Sequence, residues 1–193
     1  MTFHFINLVS WRFFAEKKLH NSILYCDSLT FSLLARLCKK KIKRISGVSR
    51  VNSIHGNNSG YLVSDYSPHE NRLKLPYWKN LDDVKITDKI LDFCKNYKTL
   101  VIAISSPKQD KLAMLINDIY PEKEIYCFGA ALNTNEKLKF LDKFGFMWLG
   151  FLFQSPLRTL NKIFITSDSI LKILTDKQLR INFIDVIAKI KNN

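Results

Sequence analysis

The chain has 193 residues, enough for one ordinary domain and few for two. Its 47% hydrophobic and 24% charged content excludes a disordered chain, and six Gly with five Pro exclude a collagen-like or linker-dominated one. Thirty Lys and Arg against 17 Asp and Glu leave a net charge of +13, which favours partners that carry phosphate: nucleic acid, anionic lipid or a nucleotide diphosphate.

Residues 3–19 carry aromatic and aliphatic positions at helical spacing, predicting a short strand that runs into a helix. Ile23-Leu24-Tyr25-Cys26 is a brief apolar run, predicting a buried strand that delivers Asp27 to its carboxyl end. Thr30 to Lys41 is helical in period, with Asp27 or Ser28 near its cap. Seven cations (Arg36, Lys39, Lys40, Lys41, Lys43, Arg44 and Arg50) fall here with no acid among them, the pattern either of a phosphate-binding patch or of a solvated helix end and a basic turn. The stretch 52–80 is rich in Asn, Ser, Gly and Pro and predicts loops around one strand, Tyr61-Leu62-Val63. Val84 to Tyr97 is helical, and Leu100 to Ile104 is a β-branched run of the kind buried on both faces of a parallel sheet. Ser105 to Asp110 is expected as a loop before a helix from Lys111 to about Ile119. Glu124 to Phe128 is another strand, closed by Gly129-Ala130-Ala131. Beyond 140 the period is helical to Lys191.

Alternating strands and helices predict an α/β fold, a mostly parallel, Rossmann-like sheet flanked by helices. Residues 1–143 are expected as the α/β catalytic part and 144–193 as a helical, basic segment that docks on a membrane. The four cysteines and four histidines show no metal-ligand spacing, so neither a disulfide framework nor a zinc site is expected. No signal peptide is expected, and no uncharged run reaches the roughly 18 residues of a spanning helix.

Ligands of parallel α/β sheets sit beyond the carboxyl ends of the strands. Asp27, the segment Ser105–Asp110 and the segment Gly129–Asn133 all follow such ends. Asp27 is a candidate general base, with helix capping as its ordinary alternative. Ser105-Ser106-Pro107-Lys108-Gln109-Asp110 offers hydroxyls, a cation and the free N–H groups of a helix start to a phosphate, without the spacing of a P-loop. Gly129 allows close backbone approach, either to a ligand or to a packed helix. Arg158 and Lys162, one turn apart, repel each other and suit an anion or a solvated basic face.

In order and content these segments resemble the WecG/TagA/CpsF family of bacterial glycosyltransferases. The resemblance is carried by Tyr25-Cys26-Asp27-Ser28, by Ser105-Ser106-Pro107-Lys108-Gln109-Asp110, by Cys127 to Asn133, and by Gly145 to Lys162 with Trp148-Leu149 and Pro156…Arg158. It covers about residues 22–50 and 98–165. It implies Asp27 as catalytic base and Gln109 as the amide that helps place the donor. It further implies Asn133 near the nucleotide, Arg158 and Lys162 at the diphosphate, and, in a loose alignment, Asn7 near the nucleotide. The implied reaction is inverting transfer of a hexosamine-type sugar, such as N-acetylmannosamine or its uronic acid, from a UDP-sugar to a polyprenyl-diphosphate-linked acceptor. It would run without a metal or other cofactor, on the cytoplasmic face of the inner membrane, with no nucleic-acid partner and with homo-oligomerisation left open. Ser28, Asp110, Met147, Phe151 and Ser155 depart from the family's usual Gly, Glu, Glu, Arg and Glu. The alternatives are a basic nucleic-acid-binding domain and a catalytically inactive, membrane-surface member of the fold.

Overall fold

A computed structural model describes the chain except residues 18, 52–53, 55–57, 65–69, 134–139, 143–146 and 193. Residues 130, 133, 147, 148, 154 and 158 are described by their backbone alone. Six strands, β1 (Thr2–Ile6), β2 (Ser22–Cys26), β3 (Ser59–Val63), β4 (Arg72–Lys74), β5 (Thr99–Ala103) and β6 (Glu124–Cys127), form one all-parallel sheet in the order β2-β1-β6-β5-β3-β4. The fold is therefore α/β, and its strand order differs from the 3-2-1-4-5-6 of the dinucleotide-binding fold. The helices are α1 (Trp11–Ala15), α2 (Leu29–Leu37), α3 (Gly47–Val51), α4 (Asp88–Lys95), α5 (Lys108–Ile119), α6 (Met147–Gln154), α7 (Pro156–Thr175) and α8 (Lys177–Ala188), with a 3-10 turn at Gly129–Asn133.

The strands coincide with the apolar runs for a physical reason. In an all-parallel sheet with helices on its faces, central strands bury both sets of side chains. Leu100, Val101 and Ile102 are all buried in β5. The edge strand β4 has no such run: Arg72 and Lys74 are exposed, and its pairing with β3 is a backbone matter. Between 52 and 80 the chain thus has two strands where one was expected. Helix α5 opens three residues before the expected Lys111, so Lys108, Gln109 and Asp110 occupy its first turn.

The chain divides into two compact units. The first comprises Met1–His4, His20–Ile23 and Gly47–Asn133. Its core joins Leu62, Leu100, Ile102, Ile125 and Cys127 of the strands to Ile90 and Cys94 of α4 and to Leu112, Ala113 and Ile116 of α5. Gly60 of β3 lies under the aromatic rings that follow it, since an added Cβ would stand 2.4 Å from Tyr97 Cδ2 and 3.0 Å from Phe93 Cε1. The second unit comprises Phe5–Leu19, Leu24–Ser46 and Thr134–Asn193. Its core is aromatic: Phe183 of α8 meets Trp11 edge-on at 5.4 Å and Phe31 at 4.9 Å, with Phe14 and Leu24 buried in the same cluster. Among the described residues no helix is long and apolar enough to cross a membrane.

Candidate functional site

In the first unit the chain moves from β3 to the edge at β4 and from β5 back to β6, so β3 and β5 flank a topological switch point. Such points are the usual ligand positions of open parallel sheets. The β5–α5 junction stands there. The Lys108 and Gln109 amides both donate to the Ser105 carbonyl, at 3.1 and 3.3 Å. Two of the N–H groups expected to face a phosphate are therefore used within the turn. The Lys108 ammonium donates to the Trp78 carbonyl and lies 5.3 Å from the centre of the Tyr77 ring. Lys111 donates to the Leu81 carbonyl at 3.0 Å, so both cations face the segment after β4.

Gln109 is buried, and its Nε2 donates to the Cys127 carbonyl at 3.3 Å. Its Oε1 is buried with no hydrogen-bond partner among the described residues. Above it lies Gly129, whose φ of +55° suits a residue without a side chain. A Cβ there would meet Gln109 Oε1 and the Ile104 carbonyl, each at 3.4 Å. Gln109 and Gly129 are thus brought together, at the carboxyl ends of β5 and β6. Asn133 closes the same 3-10 turn.

The remaining expected residues belong to the second unit. The cap of α2 is Ser28, whose Oγ accepts from the Phe31 amide at 3.2 Å. Capping is therefore not the role of Asp27, which is half-buried at the carboxyl end of β2. Its amide donates to the Ile6 carbonyl at 2.9 Å, and its own carbonyl accepts from Arg44 Nε at 2.8 Å. Burial and the Asp27 charge together push the neighbouring Cys26 thiol up to about 12. Asn7 holds the turn into α1, its Oδ1 accepting from the Val9 and Ser10 amides at 2.9 and 3.3 Å. Arg158 and Lys162 both lie on α7, and Lys162 is exposed.

Two constellations were invisible to spacing. Arg44, one of the seven cations, is held in the fold: it donates through Nη1 to the Asp142 carbonyl at 2.7 Å and through Nη2 to the Asp142 carboxylate. Ser46 Oγ donates to the second Asp142 oxygen at 2.6 Å. A pair this enclosed leaves Arg44 no part in a solvated basic turn, whereas Lys39, Lys40, Lys41 and Lys43 beside it are exposed. The second constellation is a buried trio, His4, Asp110 and Cys127. Its members come from β1, α5 and β6, so no local motif could reveal them. Burial, with the Asp110 charge, raises the Cys127 thiol well above its usual range.

Comparisons with protein families, with curated proteins and with solved structures returned no match.

Proposed function

We propose that the chain is a glycosyltransferase similar to the WecG/TagA/CpsF enzymes, moving a hexosamine-type sugar from a UDP-sugar to a polyprenyl-diphosphate-linked acceptor with inversion. The observation that carries this reading is the meeting of Gln109 and Gly129 at the carboxyl ends of β5 and β6, beside the switch point. Both residues belong to the motifs of the resemblance, and a buried amide oxygen with no partner among the described residues is a natural contact for a donor. Asp27 is the general base in this reaction. The acceptor hydroxyl gives its proton to the carboxylate as its oxygen bonds to the anomeric carbon. The bond from that carbon to the diphosphate breaks, and UDP leaves with the electron pair. Arg158 and Lys162, the cations that the resemblance assigns to the diphosphate, offset the developing charge.

The membrane side of the reading is supported by the second unit. Phe153, Leu157, Leu160, Phe164 and Leu171 of α6 and α7 are exposed, with Lys162 and Lys172 also exposed. An apolar stripe beside cations is the form of an interfacial helix, which binds anionic headgroups without spanning the bilayer. Catalysis on the cytoplasmic surface of the inner membrane follows from the lipid-linked acceptor.

A screen of UDP-sugars against a lipid-diphosphate acceptor, read by product mass, tests the reaction. One donor gives a product with the added hexosamine mass, and Asp27→Asn abolishes it while the circular dichroism spectrum is unchanged. Full transfer by that variant removes Asp27 as base. No transfer or hydrolysis of any donor, with a shifted DNA probe instead, replaces the reading by nucleic-acid binding.

A further inference from the structure

The proposed transfer gives no task to His4 or Cys127. They are direct register partners on the neighbouring parallel strands β1 and β6, so their side chains leave the sheet on one face. Asp110, in the first turn of α5, reaches the same place, with its Oδ1 2.8 Å from His4 Nδ1. One ligand atom from each of the three lies within 4.8 Å of the others, and all three residues are buried. Imidazole nitrogen, carboxylate oxygen and thiolate sulfur are the donor types that zinc accepts. Ser106 Oγ donates to the second oxygen of Asp110, the kind of outer bond that orients a ligating carboxylate.

We propose that His4, Asp110 and Cys127 bind a thiophilic divalent cation of the zinc class, which ties the start of α5 to β1 and β6. Charge favours this assignment. A dication with one carboxylate, one thiolate and a neutral imidazole is electrically neutral, as a buried site requires. On loading, the Cys127 thiol gives its proton to solvent and its sulfur bonds to the metal. The proton of the hydrogen bond between His4 Nδ1 and Asp110 leaves Nδ1 and Nε2 takes one from solvent, so the ring stays neutral while Nδ1 and the carboxylate oxygen both bind the cation. A solvent molecule completes four-coordination, and no oxidation state changes. The role is structural: Asp110 follows Gln109 directly, so the metal fixes the helix turn that carries the amide.

The full chain, produced with zinc in the medium and dialysed, is expected to retain one equivalent of metal by elemental analysis. Its zinc-edge fine structure is expected to show one sulfur among nitrogen and oxygen neighbours. Replacing zinc by cobalt gives a thiolate-to-metal charge-transfer band, which Cys127→Ser loses and Cys94→Ser, altered at another buried cysteine of the same unit, keeps. Absence of stoichiometric metal overturns the proposal. So does a wild-type shell without sulfur, which decides the matter even if Cys127→Ser does not fold, and so does a band that survives in Cys127→Ser. None of these readouts depends on sugar transfer, so the metal site and the enzymatic reading can fail separately.

Discussion

The two units of the chain solve the burial problem differently. In the first, strands and helices cover their apolar side chains: among the described residues only Met1, Tyr77 and Ile119 are large hydrophobics left exposed. In the second, a fully buried aromatic cluster coexists with exposed Leu33, Leu37, Phe153, Leu157, Phe164 and Leu171. Apolar area left in water contributes nothing to folding, and isolated exposed hydrophobics are common on any surface. A repeated stripe along α7, at Leu157, Leu160, Phe164 and Leu171, is different, because such patches mark interaction surfaces. The contrast separates a unit whose apolar side chains are nearly all enclosed from one whose helices present apolar surface outward.

The largest test of this contrast removes the plug of the aromatic core. Phe183→Ala is expected to cost about 3–5 kcal/mol, since a buried Phe leaves a cavity that its neighbours fill only in part. Urea unfolding measures it, and a loss near that of an exposed Phe would mean that the second unit's core is not the aromatic one described. A smaller effect comes from alkali. Cys26 of the second unit is raised from 9.0 to about 12 and Cys94 of the first to about 11, both chiefly by burial. A thiol is neutral while protonated, so the unfolded chain loses the proton first as pH rises. The contribution is complete below 9.0 and declines as pH climbs through the folded-state values. Urea midpoints between pH 9.0 and about 11 are expected to fall in the wild type and to fall less steeply in both Cys26→Ala and Cys94→Ala. Equal slopes in all three would remove burial as the cause. The smallest effect on stability, within about 0.5 kcal/mol, is expected for Leu157→Ser with Phe164→Ser, because both side chains are already in water. The same double variant is expected to lose flotation with anionic vesicles. Retained flotation would detach the stripe from the membrane reading.

Much of this architecture was legible in the amino-acid order. Leu100 to Ile104 and Glu124 to Phe128 announced strands because burial on both faces demands continuous apolar runs. Arg72–Lys74 did not, because an edge strand of three residues is recruited by hydrogen bonds to β3 and leaves no hydrophobic trace. Gly47–Val51, to which no element was assigned from the sequence, forms a short helix with Gly47, Val48 and Val51 buried. At the candidate site, the residues Gln109 and Gly129 could be named from motif order, but their approach depends on how α5 lies against the end of β6. Arg44 looked like its lysine neighbours because its partner Asp142 is remote in the chain. The His4–Cys127 pairing is a fact of strand register, and register is fixed by the sheet as a whole and not by local spacing.

The position of Phe183 also governs the timing of assembly on the ribosome. Every segment of the first unit has been synthesised once Asn133 is made, whereas Trp11, Phe14 and Phe31 lack their central partner until α8 is added. At ordinary elongation speeds the interval between Phe31 and Phe183 is on the order of ten seconds. Throughout it, an incomplete aromatic core is exposed to other nascent chains and to chaperones.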